Sequence, residues 1–163
     1  MARSVMGAGG GVSLTLRPPI EFIQRQSGAF RRHLRNLEPL WDRFKPIMSE
    51  IESKRFDEEG PGWAALKEST IRQKAAAGYP LDILIRTGDL RDSLVEEGRA
   101  AKTSAMQMEW GSDVSYAGYH QDGTPKMAQR KVIEIEDVEG RRKLERAMVG
   151  WINQVARETF GRI

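Results

Sequence analysis

"SAMQMEWGS", residues 104–112, is the stretch on which the fold class turns. In an extended chain Met106, Met108 and Trp110 fall on one side and Gln107 and Glu109 on the other, the period-two pattern of a half-buried strand. Upstream, "LEPLWDRFKPIMSEI", residues 37–51, keeps a different period. Leu37, Leu40, Trp41, Phe44, Ile47, Met48 and Ile51 recur at three-and-four spacing and lay one broad apolar stripe along a helix. Both periods in one chain predict an α+β fold: a small antiparallel sheet packed against two long helices and short helices, with a flexible N-terminus.

Working outward, "VSLTL", residues 12–16, alternates Val12, Leu14 and Leu16 before a double proline and reads as a short strand. Residues 1–11 hold few apolar anchors and many glycines, so they are expected to be a flexible arm in front of a single domain spanning 12–163. Ile20, Ile23, Phe30 and Leu34 fit a helix bent near Ser27-Gly28. After the turn-forming "FDEEGPGW", Ser69 to Ala77 should form a short helix closed by Gly78 and Pro80. In "ILIRTGDLRDSL", residues 83–94, the Thr87 hydroxyl is placed to cap a helical turn starting at Gly88, with Asp89 favouring the helix dipole. "SLVEEG", residues 93–98, reads as extended, with "RAAKT", residues 99–103, as the loose tip of a hairpin leading into the Trp110 strand. "VIEIEDV", residues 132–138, alternates as a further strand, and Leu144, Ala147, Met148, Trp151, Ile152 and Val155 mark a closing helix.

Composition narrows the function classes. With no cysteine among 163 residues there is no disulfide framework, thiolate nucleophile or Cys-based metal site. No stretch has the length and apolarity of a membrane span, so the chain is expected to be soluble and unexported. Charge is segregated: residues 1–55 carry ten Lys/Arg against five Asp/Glu, residues 56–125 seven against twelve, and residues 126–163 nine against six. Such asymmetry serves either nucleic-acid binding or contacts in which a positive face of one subunit meets a negative face of the next.

"YAGYHQDGTPKMAQRK", residues 116–131, holds the residue types of an active site. A hydrolase triad would use Ser115, His120 and Asp113 or Asp122, yet no Gly-x-Ser-x-Gly turn exposes a nucleophile. His33 is far from His120 in sequence and flanked by arginines, which opposes a shared cation. The carboxylates Asp57/Glu58/Glu59, Glu96/Glu97 and Glu134/Glu136 sit in turns and alternating segments that ordinarily face water. "GAGGG", residues 7–11, has no strand before it to make a phosphate cradle. Two basic clusters, Arg25, Arg31, Arg32 and Arg35, then Arg141, Arg142 and Lys143, suit DNA or an acidic protein partner and bring no base-reading motif. On these residues the chain is expected to be no enzyme and to need no cofactor.

The order of short motifs adds a resemblance. Trp63 and Leu66, then Thr70 and Lys74, then Leu84, Thr87, Gly88, Leu90 and Ser93, then Tyr116, Ala117, His120, Gln121 and Gly123 resemble the tailed-phage virion morphogenesis and tail-completion family. Arg130 matches that pattern before its last strand, whereas the family's flanking prolines are replaced in "MAQRK". The resemblance covers about residues 55 to 135 and rests on order and spacing together. With it, residues 116–123 are expected to form a short helix or turn after the Trp110 strand, Tyr116 and Ala117 packing inward, His120 and Gln121 fixing the corner by hydrogen bonds, and Asp122-Gly123 reversing the chain toward Arg130.

It implies a structural virion protein in the neck or upper tail, assembled in the host cytoplasm. Such a protein forms a homo-oligomeric ring, six-fold or twelve-fold, between head-completion or adaptor proteins and tail-terminator or tail-tube proteins. The segregated charge and a hairpin reaching into the next layer would suit that role. The alternative is a nucleic-acid-binding assembly factor that protects DNA ends at the head-tail junction.

Overall fold

The computed structural model describes residues 2–6, 12–16, 28–60, 62–135 and 138–160. It is an α+β arrangement of four strands and seven helices among the described residues. The sheet is antiparallel throughout, in the order β1-β2-β4-β3. Its strands are β1 (Ala2–Met6), β2 (Val12–Leu16), β3 (Ala101–Ser104) and β4 (Gln107–Ser112). The Val12 to Leu16 alternation is therefore a strand, as expected, and Leu14 lies opposite Trp110. Ala2–Met6, read from sequence as part of a flexible arm, instead pairs along β2, with Ala2 opposite Leu16 and Met6 opposite Val12. Composition missed it because β1 is short, does not alternate, and pairs along a ladder with β2 that lies beyond the glycine-rich residues 7–11 in the sequence. Residues 7–11 lie outside the described residues.

β4 keeps the predicted alternation: Met108, Trp110 and Ser112 are buried, while Gln107, Glu109 and Gly111 are half-exposed. Met106 departs from it, sitting 41% exposed in the tight turn between β3 and β4. The hairpin therefore turns at Ala105-Met106 and not at the expected "RAAKT" tip. Nor is the tip loose. The Ala105 carbonyl accepts the Leu37 N–H at 2.7 Å, and the Ser104 carbonyl accepts the Trp41 indole N–H at 2.9 Å. The hairpin end is thus bound to the start of a long helix of the same chain.

That helix is α2 (Glu38–Asp57), entered through Leu37 and an early proline, which costs no hydrogen bond in the first turn. Leu40, Trp41, Phe44, Met48, Ile51 and Phe56 form its buried face. Pro46 and Asp42, the residue one turn before it, both lie on the exposed side of the helix, where a missing main-chain hydrogen bond costs least. The closing helix α7 (Val138–Phe160) packs antiparallel along α2. Arg43 meets Gln154, Lys143 meets Glu50 at 2.7 Å, and Lys54 meets Glu139 at 3.9 Å, one chain number rising as the other falls. Leu144, Trp151 and Val155 bury the α7 stripe, as the sequence predicts. α1 (Gly28–Leu34) adds Phe30 and Leu34 to the same core, and the N-terminal part of the helix expected from Pro19 lies outside the described residues.

Three short helices complete the described frame of this half. α3 (Glu68–Ala76) occupies the predicted place, ends before Gly78 at φ +70°, and buries no residue. α4 (Asp89–Val95) and α5 (Glu97–Ala100) replace the extended segment expected at residues 93–98. Leu90, Ser93 and Leu94 share one buried helical face, and the Ser93 hydroxyl donates back to the Leu90 carbonyl at 2.8 Å, so the helical period prevails. The strand expected at 132–138 is also absent among the described residues. Val132 and Ile133 are both buried although adjacent, which a two-sided strand would not allow on one face.

Candidate functional site

The motif residues converge on a corner built around α6 (Ala117–Asp122), the short helix expected after the Trp110 strand. Its approach is fixed by the Ser112 hydroxyl, which lies 2.6 Å from the Ser93 hydroxyl and accepts the Val114 N–H at 3.1 Å. Ala117 is fully buried and Gly118 is buried, so the helix lies close on the core. Tyr116 does not pack inward as expected: it is 42% exposed, because the residue before the first turn projects away from the face that Ala117 and Gln121 share.

Gln121 closes the corner. Its Oε1 accepts the Val132 N–H at 2.9 Å and the Ile133 N–H at 3.1 Å, and its Nε2 donates to the Ile133 carbonyl at 3.1 Å. A side-chain amide thus does for residues 132–133 what a neighbouring strand would have done. Gly123 reverses the chain at φ +73° and ψ 174°, a conformation that glycine alone adopts readily. A Cβ there would lie 3.0 Å from the Gln129 backbone nitrogen. The returning chain is held by Gln129 Nε2 donating to the Gln121 carbonyl at 2.9 Å and by the Arg130 N–H donating to the His120 carbonyl at 2.8 Å.

Arg130 then ties the corner to the segment before α3. Its Nε donates to the Ala64 carbonyl at 2.9 Å and its Nη2 to the Ala65 carbonyl at 3.2 Å, while the Trp63 indole N–H returns a bond to the Lys131 carbonyl at 3.0 Å. Trp63 also stands edge-on to Phe56, ring centres 5.5 Å apart, which carries the connection into the core. Leu66 and Thr70, between Trp63 and the middle of α3, are half-buried.

A second knot surrounds Lys74. Its ammonium donates to the Asp82 carbonyl at 2.7 Å and the Ile85 carbonyl at 2.6 Å, and Glu59 Oε1 accepts the Ile83 N–H at 3.0 Å. Partial burial lowers the Lys74 pKa, opposed by the nearby Asp82 and Glu59 carboxylates. Within this loop Leu84 takes φ +62°, a strained value for a branched side chain, while its side chain packs against the core. Thr87 does not cap the next helix through the backbone as expected. Its hydroxyl donates to Asp89 Oδ2 at 2.8 Å, and Gly88, at φ +97°, makes the entry to α4 by its backbone alone.

Among the described residues Asp113, Ser115 and His120 are not joined by hydrogen bonds into a triad. The His120 side chain does not fix the corner by hydrogen bonds, as expected; only its backbone carbonyl does. Among the described residues its Nδ1 is buried without a partner, its ring stands edge-on to Tyr116 at 5.9 Å, and burial together with Arg130 lowers its pKa. Of the two carboxylates offered for a triad, Asp113 or Asp122, the first is paired with Arg99 at 3.0 Å, and Ser115 is exposed. Among the described residues no three His, Asp or Glu side chains are grouped to hold a metal.

The basic clusters differ. Arg31, Arg32 and Arg35 are exposed, and Arg25 lies outside the described residues. Lys143 is engaged with Glu50 and, at 3.7 Å, with Glu139; Arg141 donates to the Ile135 carbonyl at 3.2 Å; Arg142 is exposed beside a shallow groove on α7.

One pair escaped the sequence reading. Glu52 is fully buried on α2, with Oε2 3.2 Å from Arg55 Nε and Oε1 without a partner among the described residues, and Arg55 reaches on to the Glu134 carbonyl. Burial pushes the Glu52 pKa up to about 7 although Arg55 pulls it down. The available signal was a Glu one turn after Met48, inside the apolar stripe, with Arg three residues on.

Compared with known protein families, characterised proteins and solved structures, the chain matches none. Among the described residues no helix is long and apolar enough to cross a membrane.

Proposed function

We propose that this chain is a non-enzymatic structural component of a tailed-phage virion, a ring-forming subunit at the neck or upper tail that joins the filled head to the tail. One observation carries the reading. Four of the positions that resemble the tail-completion family are spent on holding backbone: Lys74, Gln121, Arg130 and Trp63 each bond main-chain groups of another segment. Such a set shapes a surface for neighbours and is itself engaged in holding the fold. Ring partners on either side would be head-completion or adaptor proteins and tail-terminator or tail-tube proteins, and the site of action would be the virion.

Deleting the coding sequence from the phage and inspecting lysates by electron microscopy tests this. Filled heads and free tails that stay apart are the expected result, and normal virions would overturn it. The second reading, an assembly factor protecting DNA ends, is favoured by the exposed Arg31, Arg32 and Arg35. It requires duplex binding that weakens steeply as salt rises.

A further inference from the structure

We infer that copies of this chain meet head to tail, the outward face of α6 with Tyr116 and Tyr119 seating on the face of α7 that carries Arg142, Arg146 and Val149 of the next copy. The inference rests on the ring reading and names the surfaces that make the ring. Tyr116 and Tyr119 are 42% and 58% exposed, three residues apart, and so lie on one side of α6. Asp89 and Arg99 both act on the Tyr116 phenol, and Arg99 is engaged by Asp113 at 3.0 Å. Asp122 continues the same side of the helix, and neither Asp89 nor Asp122 has a basic partner among the described residues, which leaves the acidic charge unmatched.

On α7, Val149 is 53% exposed, with Arg142 and Arg146 seven and three residues before it and Asn153 four after, all along one shallow groove. Neither arginine forms an ion pair among the described residues, and Glu145 is the groove's single carboxylate. The groove points away from α2, since Leu144, Trp151 and Val155 take the opposite side of the helix.

Tyrosine and arginine around an apolar centre are the residue types that dominate protein interfaces. Complementary charge selects the occupant. Residues 56–125, which include α6, carry twelve acidic against seven basic groups, and residues 126–163, which include α7, carry nine basic against six acidic. One chain therefore holds both halves of a matched pair, on different elements, and a contact between unlike patches repeats around a closed ring.

The absence of cysteine makes the test direct. Single variants Tyr119→Cys and Val149→Cys of the full chain are mixed at micromolar concentration and oxidised, with Tyr116→Cys as a second probe of the α6 face. Thiols held face to face see each other at roughly millimolar effective concentration, so the mixed pair should form a disulfide dimer roughly ten-fold or more above a control pairing Ile71→Cys with Val149→Cys. Adding Arg142→Glu and Arg146→Glu to the Val149→Cys chain should abolish that excess.

A mixed pair no better than the control overturns the inference, as does an excess unaffected by charge reversal. Sedimentation of the wild-type chain separates this failure from failure of the ring. Self-association without the Tyr119–Val149 crosslink leaves the ring and removes these surfaces, whereas normal virions from the deletion remove the ring reading itself.

Discussion

Replacing Gln121 by Ala should destabilise the fold in a way that a catalytic or solvated glutamine would not. The variant strips the acceptor from the Val132 and Ile133 N–H groups, which belong to residues 0% and 3% exposed. A buried donor left without a partner costs about 1–3 kcal/mol. Gln121 itself is half-exposed, so water can partly replace it, and the expected loss for the two amides together is about 2–4 kcal/mol. Against a total stability of about 5–15 kcal/mol that is a large fraction. Gln121→Glu keeps both acceptor contacts but sets a carboxylate oxygen against the Ile133 carbonyl where Nε2 donated, so it should also destabilise while the Val132 and Ile133 amides keep their acceptor. Urea unfolding measures the change, and hydrogen exchange at the Val132 and Ile133 amides locates it. A Gln121→Ala chain within about 0.5 kcal/mol of wild type, or unchanged exchange at both amides, would refute the reasoning.

Glu52 makes stability depend on pH. Its folded pKa is raised from 4.5 to about 7, so the stabilisation it contributes is full below 4.5 and is lost as pH rises through about 7. Melting curves from pH 5 to 8 should show a decline in the wild type of up to about 3 kcal/mol that Glu52→Gln lacks, and equal slopes would count against the buried acid. Lys74→Met should cost about 1–2 kcal/mol and speed amide exchange across residues 82–85, whose carbonyls lose their donor; exchange unchanged there would show that the loop holds itself. Gly123→Ala should lower stability by about 1–3 kcal/mol, because φ +73° excludes a side chain and Gln129 leaves no room for one. An unchanged melting temperature would mean that the turn is not set by this glycine.

The elements most legible in the sequence were those whose signal is local. The α2 and α7 stripes and the β4 alternation each repeat over several turns or residues, and the structure keeps them. What was misread depends on groups remote in the chain. Ala2–Met6 is ordered by pairing with β2, residues 132–133 by the Gln121 amide, and the β3–β4 turn by Leu37 and Trp41. In residues 93–98 a helical spacing of only two apolar side chains, Leu90 and Leu94, competed with β-branched and acidic neighbours that read as extended.

The candidate site was legible as residues and not as geometry. Gln121, Gly123 and Arg130 do hold the corner, whereas the His120 side chain and Tyr116 do not take the places expected of them. A helix of six residues turns its side chains in steps that a one-residue shift of its start reverses, so which ring faces inward could not be read from the sequence.

The central claim is that this chain joins heads to tails by its shape and contacts and without chemistry. Adding purified protein to a lysate from the deletion phage, and counting joined particles and plaques, tests it most directly. Filled heads and free tails should be converted into infectious virions by the wild-type chain, and equally by a folded His120→Ala chain. Heads and tails already joined before the addition, or a folded His120→Ala chain that fails where wild type succeeds, would contradict the account.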